Sequence, residues 1–127
     1  MSNFETTTDI VRDTAIVSVK GYLSGLSGER LETEVARLIG EGSRSIVINF
    51  KETDMVNSVG VSILVGIIEK VRDAGGALSF SDLTPVNEEV FRLMGLHRHV
   101  HIRHRQEGAP GGDKVGEGDR GRAEAKK

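Results

Sequence analysis

An α/β layer fold is predicted for this chain, in the element order β-β-α-β-α-β-α-β. Three observations predict it. Residues 14–20 and 45–50 are short runs rich in Val and Ile, the pattern of strands with buried faces. Apolar residues recur at helical spacing in three later segments, over 31–39, 61–71 and 90–94. Gly, Pro or Asn-Ser breaks separate strand from helix each time. Strands alternating with helices build a sheet with helices laid against it.

Residues 4–11 alternate weakly and end in Asp9-Ile10-Val11, a first strand. Arg12-Asp13 makes the turn into the second strand, 14–20, and the spacing predicts a hairpin that Gly21 ends. The first helix is placed from Ser27. Arg30 stands three residues on where a capping box wants Glu or Gln, so that box is incomplete. Leu31, Val35, Leu38 and Ile39 form its apolar face, Glu32, Glu34 and Arg37 face water, and Gly40 and Gly42 stop it. The third strand, 45–50, has apolar residues on both faces. A polar loop, Lys51 to Asp54, follows.

The second helix spans 58–73 and is the most apolar segment. Val61, Leu64, Val65, Ile68 and Val71 make one stripe, the expected core face; Val59, Ile63 and Ile67 lie off it, and two readings stand for them, a contact surface or a face covered by a neighbouring helix. Ala74-Gly75-Gly76 turns into the fourth strand, 77–81. Thr84-Pro85 opens the third helix, with Pro in the first turn; Val90, Phe91 and Met94 give its apolar face and Gly95 ends it. Leu96 and Val100-His101-Ile102 read as a short edge strand. Residues 106–127 are Gly-rich, mixed in charge and poor in aliphatics, and are expected to be a disordered tail after a single domain over 1–105.

Composition narrows the function. The chain has 127 residues and a net charge of −2, so nothing draws it as a whole to nucleic acid or to an anionic membrane. It has no Cys, which removes disulfides and thiolate chemistry and fits a cytoplasmic protein. No apolar run reaches the roughly 18 residues of a membrane span, and the N-terminus shows no signal core. No Gly-rich phosphate loop, G-x-S-x-G elbow, acid/base dyad or cofactor fingerprint is present, so the expectation is a binding protein without a cofactor rather than an enzyme.

One stretch holds the candidate site. Asn57-Ser58-Val59-Gly60 stands between the third strand and the second helix. Asn is a preferred N-cap, so the Ser58 hydroxyl falls in the first helical turn, at the positive end of the helix dipole. A phosphate added there meets a ready anion site and changes the surface charge by about −1.5 to −2.

This strand–loop–helix resembles the signature of the STAS domain, the family of bacterial anti-sigma factor antagonists, over roughly residues 4–103. The family motif reads Asp-Ser-(Ser/Thr)-Gly. Here Ser58 and Gly60 match it, while Asn57 and Val59 depart from it. The resemblance implies a mixed β-sheet with helices packed mainly on one face. It implies that Ser58 is phosphorylated by a serine kinase that is itself the anti-sigma factor, and that a serine phosphatase resets it. The partner-binding surface it implies comprises Asp54, Asn57, Ser58, Val59, Gly60, Ile63, Ile67 and Ser24, with Lys70 farther along the helix. Family members commonly carry Gly-Glu-(Ile/Leu)-Asp after the second strand; this chain has Gly21-Tyr22-Leu23-Ser24 and lacks both carboxylates. The family also includes accessory subunits of lipid-transport ABC complexes, a second reading that fits the altered motif. The oligomeric state stays open between a monomer and a weak dimer.

Two lesser signals remain. His97, His99, His101 and His104 form a local cluster whose first three members would share one face of a strand. Polar residues on an exposed edge are the ordinary explanation, and no metal site is expected. Asp13, Asp54, Asp73 and Asp82 read chiefly as turn and solubility residues.

Overall fold

The structure, a computed structural model, describes residues 4–103. The expected tail over 106–127, together with His104 and Arg105, lies outside the described residues. Strands β1 (Glu5–Val11) and β2 (Thr14–Leu23) form the expected antiparallel hairpin. Helix α1 (Gly25–Gly40), β3 (Ser45–Asn49), β4 (Thr53–Val56), α2 (Ser58–Asp73), β5 (Ala77–Ser81), α3 (Pro85–Leu93), one 3₁₀ turn (Leu96–Arg98) and β6 (His101–Arg103) follow. The sheet order is β1-β2-β3-β5-β6, parallel everywhere except at β1, and β4 pairs parallel with the end of β2.

Each parallel step moves the chain one place in the same direction across the sheet, so right-handed crossovers put the helices on one face. The buried row Val17, Ile48, Phe80 and Ile102 runs in register across β2, β3, β5 and β6 beneath them. Phe50, Phe80 and Phe91 meet edge-to-face with ring centroids 5.1–5.7 Å apart, which seats α3 on the sheet. At the other side, Thr8 on β1 donates to Glu34 on α1 at 2.6 Å. The Arg37 guanidinium, with Thr8, holds the Glu34 carboxyl below the usual carboxylate range.

The structure corrects the sequence reading at several places. The expected polar loop, 51–54, runs into β4, which begins at Thr53. After Asn49 the chain leaves β3, with Phe50 N donating to Ser81 O, and returns to β2 at Thr53. Gly21 does not end β2. It adopts φ 105°, takes up a register shift opposite β4, and lets the strand run on to Leu23. Helix α1 starts at Gly25 with Ser24 as N-cap, so Ser27 sits in its first turn, where its hydroxyl accepts from Ser24 N (2.7 Å) and donates to Tyr22 O (2.7 Å).

Helix α2 is rotated from the expected stripe: Ile67 is 0% exposed and Val65 is 38% exposed. On α3, Phe91 is buried and Val90 half-buried, but Met94 is exposed. The His segment is no continuous strand. Gly95 turns it left-handed at φ 80°, His97 sits in the 3₁₀ turn, and only His101 of the first three lies on a strand.

Removing the Phe91 ring is expected to lower the free energy of unfolding by about 3–5 kcal/mol in a urea titration of Phe91→Ala. Leu93→Ala, two residues on but exposed, is expected to change it by less than about 0.5 kcal/mol.

Candidate functional site

The site forms where β2 and β4 end side by side. The two strands run parallel, and each feeds a helix on the same face, so the first turns of α1 and α2 come together at one end of the molecule. Asn57 N donates to Leu23 O at 3.0 Å, which ties the two strand ends. The Asn57 side chain then accepts from Gly60 N at 2.8 Å, and Val61 N closes the first helical bond on Asn57 O at 3.0 Å. Asn57 is therefore the cap of α2.

Close packing explains the glycines. A Cβ on Gly60 would lie 2.6 Å from Leu23 O, a backbone atom that cannot move aside without the strand. A Cβ on Gly25 would lie 3.0 Å from Val59 Cγ1, and one on Gly28 would lie 2.8 Å from Ile63 Cδ1. Helix α2 is thus pressed against both β2 and α1.

Ser58 is the first residue of α2 and is exposed. Its carbonyl accepts a bond from the Ser62 hydroxyl at 3.2 Å, but among the described residues no hydrogen bond engages the Ser58 hydroxyl. That hydroxyl stands at the open N-terminus of a 16-residue helix, where unpaired backbone N–H groups and the helix dipole favour an anion. Neither α1 nor α2 has an acidic residue in its first turn. Asp54 and Glu52 are exposed on the approach to the site.

The structure brings Ser24, Asp54, Asn57, Ser58, Val59 and Gly60 to this end of the molecule. Gly60 contributes by letting the backbones approach rather than by offering surface. Ile63 is half-buried against Gly28, and Lys70 is exposed but about 18 Å along the helix from Ser58. Ile67 is corrected: it is fully buried among the core side chains and offers no contact surface. The sequence reading passed over Leu26 and Met55, both exposed beside the site. Met55 stands two residues before Asn57 and Leu26 two residues after Ser24, both off any periodic stripe.

Among the described residues no helix is long and apolar enough to cross a membrane, and no group of three or more His, Asp or Glu side chains is arranged to hold a metal ion.

Residues 4–109 match the family model of the STAS domain. A Bordetella bronchiseptica protein with the provisional name anti-sigma factor antagonist BtrV is 27% identical over 90 residues, which cover 71% of this chain and 78% of that protein. The fold is shared with a crystal structure of an anti-sigma factor antagonist from Mycobacterium paratuberculosis, with TM-score 0.71 and 21% identity over 80% of this chain and 86% of that one. It is shared also with SpoIIAA of Bacillus in the phosphorylated form, with TM-score 0.61 and 21% identity over 83% of this chain and 95% of that one.

The packing leads to a pair of stability measurements. Gly60→Ala is expected to cost about 1–3 kcal/mol by denaturant unfolding, because the added methyl meets a backbone carbonyl. Asn57→Ala is expected to cost about 1 kcal/mol, and Asn57→Asp, which keeps the capping oxygen, less than about 0.5 kcal/mol.

Proposed function

Because this chain belongs to the STAS domain family, we propose that it is an anti-sigma factor antagonist that binds a Ser/Thr-kinase-type anti-sigma factor and is switched by phosphorylation of Ser58. One observation carries the reading: the Ser58 hydroxyl is exposed and unengaged at the start of α2 while Asn57 does the capping. Were Ser58 needed as the cap, its oxygen would be occupied. The names of BtrV and of the Mycobacterium paratuberculosis protein support the role, and the SpoIIAA structure supports phosphate on this fold.

In the proposed cycle the unphosphorylated chain holds the kinase, and the sigma factor is free. The kinase moves the γ-phosphoryl group of ATP onto Ser58 Oγ: a new O–P bond forms, the bond to the ADP oxygen breaks, and the hydroxyl proton passes to a base of the kinase. The product carries about −1.5 to −2 more charge at the centre of the contact face. The helix terminus tolerates that charge, so the fold survives while the complex weakens. A serine phosphatase returns the hydroxyl by hydrolysis. The activity is in the cytoplasm, where ATP, the kinase and the sigma factor are found.

Mass mapping of the protein from its native cells is expected to find phosphate on Ser58. With the purified kinase-type anti-sigma factors of the same organism, labelling by ATP is expected to disappear in Ser58→Ala. In isothermal titration with the kinase that labels it, Ser58→Ala is expected to bind within about threefold of wild type, and Ser58→Asp at least about tenfold more weakly. Equal affinity for the two variants would overturn the switch. Co-purification with an ATPase and a permease in place of a soluble kinase would point instead to the transport-complex reading.

A further inference from the structure

The end of the molecule that carries Ser58 also exposes apolar side chains. Leu26 in the first turn of α1 is 78% exposed, Met55 on β4 is 58% exposed, and Val59 beside Ser58 is 53% exposed. The backbone holds them at one end of the molecule. Met55 lies opposite Tyr22 on β2, Asn57 N is bonded to Leu23 O, and Val59 lies against Gly25, the residue before Leu26. Exposed apolar residues scattered singly are ordinary; three exposed at the end of the molecule that carries Ser58 are of the kind that marks a binding surface. Charge is absent from the same first turns. The exposed charged groups nearby are Lys51, Glu52 and Asp54 on the β4 side, and Glu29 and Arg30 one turn along α1.

We infer that Leu26, Met55 and Val59 are the anchors on which the kinase-type partner docks, and that the partner meets them with an apolar depression rather than a basic patch. The inference rests on the reading of Ser58 as the phosphoacceptor. A kinase that delivers a phosphoryl group to the Ser58 oxygen must cover the first turn of α2 and the first turn of α1 packed beside it, so the enzyme itself is the occupant of the patch. Apolar anchoring also sets how the switch acts. The phosphate appears at the same end of the molecule as these side chains, and rebinding would strip its water against the apolar depression of the partner, which is costly.

The test uses the full chain and the purified kinase that labels Ser58. Dissociation constants are measured at 50 and 500 mM NaCl for wild type, Leu26→Ala, Met55→Ala, Val59→Ala, Ser58→Asp and Leu93→Ala. Circular dichroism confirms that each variant is folded. Leu93 is the control: it is 78% exposed, as Leu26 is, but stands at the far end of α3. Leu26→Ala and Val59→Ala are expected to weaken binding about tenfold and Met55→Ala about threefold, with Leu93→Ala unchanged. The wild-type constant is expected to change less than about threefold across the salt range, because uncharged contacts are not screened.

If all three patch variants bind within twofold of wild type while Ser58→Asp does not bind, the inference is overturned and the phosphoswitch stands. If Ser58→Asp binds as wild type does, or no kinase labels Ser58, the reading of the site fails and the inference with it. A more than tenfold loss with salt overturns the apolar recognition. So does a patch variant that changes the mass of the chain by light scattering without changing kinase affinity, since the patch is then a contact between copies.

Discussion

The start of α2 lies so close to the end of β2 that no side chain fits between them. Leu23 O occupies the place where a Cβ on residue 60 would go, and the same carbonyl receives the Asn57 N–H. Glycine at 60 is what allows both. Once that approach is fixed, much else follows. Helix α2 is aimed along the sheet, α1 packs beside it through Gly28 and Ile63, and the residue between cap and glycine-bearing turn is left at the rim with its hydroxyl outward. The position of Ser58 is thus a consequence of backbone packing rather than of any bond that Ser58 makes.

Much of this was legible in the sequence, because its punctuation is strong. The β-branched runs, the Thr84-Pro85 start of α3, the glycines at the helix ends and the Asn57 cap all have a local physical meaning that the fold respects. The cap and the exposed hydroxyl beside it follow from residue types alone. What escaped depends on partners far away in sequence. Strand β4 is four residues long and pairs only with the overhanging end of β2, across a bulge that breaks its alternation, so neither period nor length marks it. Its hold on the fold is tertiary: the Thr53 hydroxyl donates to Val19 O at 2.8 Å, and the buried Asn87 side chain donates to Thr53 O at 3.0 Å.

The exchange of Ile67 for Val65 in the core has a similar cause. Apolar residues cover more than half the circumference of α2, so spacing cannot say which part of that arc faces inward. The neighbour decides. Helix α1 lies on the Ile63 side, where a Cβ on Gly66 would come within 3.7 Å of Glu32, and the buried arc turns towards it. The His segment failed differently. Alternation was read as a strand, but the left-handed Gly95 starts a 3₁₀ turn that uses up His97 and Arg98 before the strand begins at His101.

The replacement of the motif's Asp by Asn57 separates two jobs that a carboxylate would combine. Capping needs an oxygen aimed at Gly60 N, and the amide supplies it at 2.8 Å. Charge at the helix entrance is a distinct property, and the amide supplies none. With no acidic residue in the first turn of either helix, the two helix starts beside Ser58 begin without negative charge. In the proposed switch, a phosphate on Ser58 would put about −1.5 to −2 of charge on helix starts that carry no acidic side chain of their own, with Asp54 and Glu52 exposed on the β4 side. The fold bears that charge at no loss, since the N-terminus of α2 favours an anion. In the proposed switch, stability and binding are therefore driven in opposite directions by the same group, and that opposition would let a covalent mark release a partner without loosening the protein that bears it.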